Sequence, residues 1–337
     1  MTVLVGARAI GRRAFLAGAA GAVAAAAGCR RAGRGALVLR LSHSMATGPT
    51  SLNTFAERFR DRAEAATNGA VKVRIFANGT LGQEREIVQQ LQEGLVDFMV
   101  SGSAIWGSVA PRLQVLDFPF LWRDWDHVHR LVDGPLGEQV ADYQEAAVAV
   151  RPLAWGDSFG FRQVVTRSTD ITEPRDLSGL KIRTIQSAIY VKAVELMGAS
   201  PTPMAFGEVY TSLQTGVIDG YEHDSSTTLH QRFYEVARFM ARTRHIAGVL
   251  GLFGSSAGLA RVPADIRRLL EQAARDAAAD QRAIGPREDE TASKELTGYG
   301  MTIREFDQRP FESRAEQLWR REATALGVGP WLEAIRA

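Results

Sequence analysis

"VKVRIFANGTLGQEREIVQQLQEGLVDFMVSGS", Val71 to Ser103, carries the signal that decides the fold. Val71, Val73 and Ile75 alternate with Lys72 and Arg74, which is the period of a strand with one wetter face. "QEREIVQQLQEG" then predicts a helix stopped by Gly94, and "LVDFMVSGS" a strand ending in small residues. Upstream, "ALVLRLSHS" predicts a buried first strand that ends in a loop at His43. "TSLNTFAERFRDRAEAATNG" predicts a helix with Leu52, Phe55, Phe59 and Ala63 on one face, closed by Asn68 and Gly69. Strand, helix, strand, helix, strand is the pattern of an α/β sheet with helices on its faces. Such sheets gather ligands at the carboxyl ends of their strands. The loops at His43, Asn78 to Gln83 and Ser101 to Trp106 are therefore expected on one rim.

A second α/β unit follows "RPLAWGDS". "FRQVVTR" predicts a strand, "EPRDLSG" a turn and short helix, and "LKIRTI" another strand. "SAIYVKAVELMG" predicts a helix with Ile189, Val191, Val194 and Leu196 near one face. "ADIRRLLEQAARDAAADQRAI" predicts a long helix and "AEQLWRREATALG" a last one. There is no internal repeat and no heptad seam.

The N-terminus addresses the compartment. "RRAFLAGAAGAVAAAAGC" has paired Arg12 and Arg13, a short alanine-rich apolar run, then Cys29. That is an export signal over 1–28, of the twin-arginine type. Cys29 after Ala26, Ala27 and Gly28 resembles a lipobox, although leucine is usual where Ala26 stands. Lipidation of Cys29 and an ordinary signal ending near the same alanines both stay open. One cysteine allows no internal disulfide. Loss of Arg8, Arg12 and Arg13 takes the formal charge from +2 to −1 and leaves about 309 residues, a length that usually splits into two cores. A near-neutral chain without a basic stripe excludes nucleic acid as a partner.

Three motifs invite catalytic readings. "GDSFG" at Gly156 to Gly160 matches a nucleophile elbow around Ser158, which would make an exported serine hydrolase. The following "FRQVVTR" predicts a strand where an elbow needs a helix, and none of His223, His230 and His245 sits in a setting that marks a base. "HVHR" places His127 and His129 on a helix, where residues two apart diverge. They read as a solvated face, and no acid or histidine cluster completes a metal site. No metal and no cofactor are expected.

Two arginines are more informative. Arg162 opens one strand of the second unit and Arg183 ends another, flanked by Ile182 and Ile185. A guanidinium is costly to bury without an anion, and its planar fork matches a carboxylate. Carboxylate binding and pairing with nearby acids are both open from periodicity alone.

Several stretches then read together: "LGQEREIVQQLQEGLVDF", "LDFPFLW", "DLSGLKIR", "GASPTPMAFGEVYTSLQTGVIDG" and "RFYEVARFM". In that order they resemble the solute-binding proteins of tripartite ATP-independent periplasmic (TRAP) transporters, from about Leu37 to at least Arg282. The resemblance implies a two-lobed periplasmic-binding-protein-like fold. Each lobe is a mainly parallel sheet flanked by helices, with hinge crossings between lobes and a long bracing helix. Lobe I is expected over 36–159 plus 248–287, lobe II over 160–247 plus 288–315, and a C-terminal helix over 316–337.

The resemblance further implies a non-enzymatic receptor that binds a small organic acid in the cleft and delivers it to an integral membrane TRAP permease. Membrane contact would come only through that permease or a lipid on Cys29, and the location would be periplasmic. Arg183 in "GLKIR" matches the family's carboxylate-binding arginine, and Arg162 its second arginine. Phe206 matches an apolar wall and Gln83 a polar ligand contact. His223 stands where many members carry asparagine, and Asp224 where they carry proline. His223 would make affinity vary between pH 5 and 8 if it meets the ligand, or stay silent if bonded to backbone. Gly102 and Ile105 replace the acid and arginine of the sialic-acid branch. Trp106 would stack on a sugar ring or cap the core.

Overall fold

The strand read at Val71–Phe76 forms with Val71 and Val73 buried and Lys72 and Arg74 exposed, so its alternation does select one face. The computed structural model describes residues 36–337, and the expectations for the export signal and Cys29 lie outside them. In chain order the strands are β1 (Leu37–Ser42), β2 (Val71–Phe76), β3 (Phe98–Gly102), β4 (Val150–Gly156), β5 (Arg162–Thr166), β6 (Lys181–Thr184), β7 (Ser200–Pro203), β8 (Gly220–His223), β9 (Phe239–Ile246), β10 (Leu250–Ser255) and β11 (Thr302–Glu305). The helices of eight or more residues are α1 (Ser51–Ala66), α2 (Glu84–Gln92), α3 (Trp125–Val132), α4 (Pro135–Val148), α5 (Ala188–Met197), α6 (Ala264–Arg282), α7 (Gly285–Gly298), α8 (Arg309–Leu326) and α9 (Gly329–Arg336).

Two sheets form, with orders β2-β1-β3-β10-β4 and β11-β9-β5-β8-β6-β7. They are mixed, not uniformly parallel. β10 is antiparallel to β3 and β4, and β5 is antiparallel to β8 and β9. Each of these is the first strand the chain enters after leaving the other sheet. A chain that crosses at one end and re-enters at once must run against its new neighbours.

One face of the first sheet packs on α1 and α6. Leu52, Phe55, Phe59 and Ala63 of α1 meet Leu270, Ala273, Ala274, Ala277 and Ala278 of α6 in one buried cluster. The small residues of α6 let the two helices approach closely. The other face builds the largest cluster, with Trp106, Leu113 and Phe118 at its centre. Ile189, Tyr190 and Ala193 of α5 join it, although α5 follows a strand of the second sheet. The buried face of α5 is Ile189, Tyr190, Ala193, Val194 and Met197, with Val191 and Leu196 only half-buried. Helical spacing favours that set, because 189, 193 and 197 share a side with 190 and 194. Val194 and Met197 of α5 lie in the second core, and α8 likewise touches both cores, through Phe311 in the second and Trp319 in the first. The single C-terminal helix expected over 316–337 is two, α8 and α9, broken at Gly327 (φ +66°) ahead of Pro330.

The crossings run through Asp157–Phe161 and Ala247–Val249. The Ser158 hydroxyl, within reach of Gly160 O (2.7 Å) and Ala247 O (3.1 Å), holds the two side by side. Gly248 (φ +73°) has no room for a Cβ there, since it would lie 2.7 Å from Ser158 Oγ.

Candidate functional site

A small cavity of about 40 Å³ lies where the two sheets meet. Ser44 and Met45 reach it from the loop after β1, Glu84 from the start of α2, and Gly102 from the end of β3. These are the carboxyl ends named as a rim from the sequence. From the second sheet come Arg162, Arg183, Phe206 and His223, with Ser158 at the crossing. The cleft is closed over it. Arg85 Nη2 on α2 donates to Gln186 O beyond β6 at 2.7 Å, and Phe206 packs into the hydrophobic clusters of both sheets.

Arg183 is 1% exposed. Its Nε and Nη2 donate to Met204 O, at 3.2 and 2.8 Å. Nη1 is buried and has no hydrogen-bond partner among the described residues. A guanidinium bonded along its Nε–Nη2 edge keeps the Nη1–Nη2 edge open, and that edge fits both oxygens of a carboxylate. Phe206 lies under the group at 5.8 Å. Burial pulls the Arg183 pKa down to about 10, so the side chain stays charged at neutral pH.

Arg162 lines the same cavity, but its fork is taken. Nε and Nη2 bond the two carboxylate oxygens of Glu222 on the adjacent strand β8, and Nη2 also bonds Glu222 O at 2.8 Å. Burial opposes the charge on Arg162, but the Glu222 carboxylate outweighs it and holds the pKa above its ordinary value. Burial alone would raise Glu222, yet Arg162 and His245 reverse this and hold it at about 2. The two readings left open from periodicity thus divide, with Arg162 ion-paired and Arg183 without an ion pair among the described residues.

His223 is 5% exposed and its Nδ1 lies 2.6 Å from Asp224 Oδ2. That separation needs a proton between the atoms, so Nδ1 donates. Burial, then Arg162, lowers the His223 pKa. The ring therefore favours its neutral form, and the expected variation with pH shifts towards the acid side. Its Nδ1 also lies 3.0 Å from the Asp224 backbone N, so the ring meets a carboxylate and, as had been considered, a backbone group.

The other expected residues separate. Phe206 is a wall of the cavity. Gln83 lines a neighbouring cavity with Asn78, Tyr210 and Gln231, and its amide packs on Gly207. Trp106 is 0% exposed, donates to Ser101 Oγ at 3.1 Å and packs on Phe253 at 4.6 Å. Trp106 belongs to the core and does not line the cavity. Ser158 sits between two strands, with no imidazole bonded to its hydroxyl among the described residues. The elbow geometry is missing, and the hydrolase reading goes with it. His127 and His129 are not a solvated face: His127 Nε2 bonds Ile335 O at 2.8 Å and His129 Nε2 bonds Asp157 Oδ1 at 2.7 Å. No cluster among the described residues has the makeup of a metal site.

Sequence reasoning missed three groups. Glu84 was absorbed into a helix, Glu222 was passed over beside His223, and Asp117 stood unremarked in "LDFPFLW". Asp117 is 0% exposed and bonds Ser103 Oγ (2.9 Å) and Tyr190 OH (3.3 Å), and burial pushes its pKa up to about 7.

Residues 41–325 match the model of the bacterial extracellular solute-binding proteins, family 7. The chain belongs to that family. Among curated family relatives, the 2,3-diketo-L-gulonate-binding periplasmic protein YiaO of Escherichia coli (strain K12) is 32% identical over 68% of this chain and 69% of its own. The C4-dicarboxylate-binding periplasmic protein of Rhodobacter capsulatus is 32% identical over 83% of this chain and 82% of its own. A solved TRAP periplasmic solute-binding protein of Chromohalobacter salexigens, with bound D-glucuronate, is 28% identical. It has a TM-score of 0.82, with 88% of this chain and 97% of that one covered. The two-lobed fold is that of the family, and the chain is a solute-binding receptor, not an enzyme.

Proposed function

We propose that this chain captures a small organic acid by its carboxylate, on the open edge of Arg183, and delivers it to a TRAP permease in the membrane. What carries the reading is the buried Arg183 Nη1, which has no partner among the described residues. A buried charge without a partner is unfavourable, and an incoming carboxylate relieves it. Each charge-assisted bond contributes about 1.5–3 kcal/mol. Phe206 excludes water beneath the ion pair. The site is closed over Arg183, so the lobes part about the Asp157–Phe161 and Ala247–Val249 crossings to admit the acid. Closure then adds the first-lobe groups, and the closed form docks on the permease. No bond is made or broken.

The twin arginines at Arg12 and Arg13 support export to the periplasm. Cys29 in its lipobox-like setting supports a lipid anchor there.

Thermal melts against a library of organic acids test the assignment. A bound acid at about a hundredfold its Kd stabilises by about 2.7 kcal/mol. Arg183→Ala is expected to abolish that gain while folding normally without ligand. Retention of the gain in Arg183→Ala would remove Arg183 from the site.

A further inference from the structure

The donors and acceptors facing the cavity are sharply unequal. Among the described residues, Arg183 is the arginine on its lining that makes no direct ion pair, because Arg162 is clasped by Glu222. The other polar side chains have already spent their protons. Ser44 Oγ donates to Glu84 Oε1 at 3.1 Å, and Ser158 Oγ donates to a backbone carbonyl at the crossing. His223 Nδ1 lies 2.6 Å from the Asp224 carboxylate and 3.0 Å from the Asp224 backbone N, and the shorter contact, to an oxygen that accepts only, assigns the ring proton to Nδ1 and leaves Nε2 as an acceptor. Glu84 Oε2 accepts no hydrogen bond from the protein among the described residues. Among the side chains of the lining residues, one donor fork thus accompanies four acceptor atoms, contributed by the first sheet, the crossing and the second sheet. Met45, Leu52 and Phe206 supply apolar surface between them.

We propose that Glu84 and His223 are specificity-determining residues that select a monocarboxylate bearing several hydroxyls and reject dicarboxylates. This rests on the receptor reading, with the ligand carboxylate on Arg183. Hydroxyl groups along the ligand chain donate to Glu84 Oε2, Ser44 Oγ, Ser158 Oγ and His223 Nε2. A second carboxylate would bring only acceptors to acceptors and would place its charge in the same cavity as Glu84. Burial already pushes the Glu84 carboxyl up, with Arg183 and Ser44 pulling the other way, so a further anion adds to that burden. An α-amino acid would also satisfy Glu84, but one compact ammonium group does not reach acceptors spread over both lobes. The relatives include binders of both acid classes, so membership of the family does not decide between them.

Calorimetry with D-gluconate, D-galacturonate, succinate and L-glutamate, on the wild type and on Glu84→Gln and His223→Asn, tests this. The expected result is that a hydroxylated monocarboxylate binds at least tenfold more tightly than succinate or L-glutamate. Glu84→Gln is expected to shrink the gap to succinate at least fivefold. His223→Asn, whose amide N–H can donate in place of an acceptor, is expected to weaken the hydroxy acid at least threefold. Unliganded melts of both variants establish that they fold. Succinate or L-glutamate binding as tightly as the hydroxy acids, with Arg183→Ala still abolishing it, would overturn the specificity assignment and leave the receptor reading standing. An unchanged preference in Glu84→Gln would also overturn it. Failure of every acid to bind would overturn both.

Discussion

Replacing Glu222 by glutamine tests the division of labour between the two arginines. The substitution keeps the shape of the side chain and removes the anion that neutralises Arg162. Arg162 is 3% exposed and Glu222 0%, so the freed guanidinium has little water to turn to. Breaking a buried ion pair from one side costs about 3–5 kcal/mol. Two features place the loss near the lower end. Arg162 Nη2 keeps its bond to the residue 222 carbonyl, and the glutamine oxygen can accept one of the lost bonds. About 3 kcal/mol corresponds to a fall in Tm of about 5 °C for a chain of this size. The same change creates a second uncompensated cation on the cavity, so succinate is expected to restore several degrees in Glu222→Gln while barely moving the wild type. Differential scanning fluorimetry with and without succinate reads both effects. A Tm within 2 °C of the wild type, with no succinate response, would refute the ledger in which Glu222 silences Arg162.

Asp117 gives a pH test. Its carboxyl keeps its proton in the fold up to about pH 7, whereas an unfolded aspartate loses it near pH 3.9. The contribution to stability is therefore fully present at low pH and is lost as pH rises towards 7. Between pH 5 and 7 the wild type should lose about 1.4 kcal/mol per pH unit relative to Asp117→Asn, measured by urea melts. Parallel curves for the two proteins would contradict this. Gly248→Ala forces a left-handed alanine against Ser158 and should cost about 1–3 kcal/mol in the same melts. An unchanged midpoint would show that the crossing has slack.

The α/β character and the rim were legible because Val71–Ser103 mixes a period of two with a helical period in strictly separate blocks. Arg183 stood out as a cation beside Ile182 at a strand end, but periodicity left its role open and only the resemblance in "GLKIR" pointed to a carboxylate. Arg162 shows the same local pattern, and its difference lies 60 residues away in Glu222, which only strand pairing brings alongside. Glu84 was hidden by a good local excuse, since an acid in the first turn of a helix is favoured by the helix dipole in any case. Trp106 was ambiguous because an aromatic after a strand end serves a core or a ligand equally well until packing is known. The antiparallel β5 and β10 follow from where the chain crosses between sheets, which no local window contains.

The structure of the chain bound to an acid that stabilises it tests the central claim most directly. The account expects both carboxylate oxygens within about 3 Å of Nη1 and Nη2 of Arg183, with Arg162 still clasped to Glu222. A ligand carboxylate seated on another group, with Arg183 Nη1 left without a partner, would contradict it.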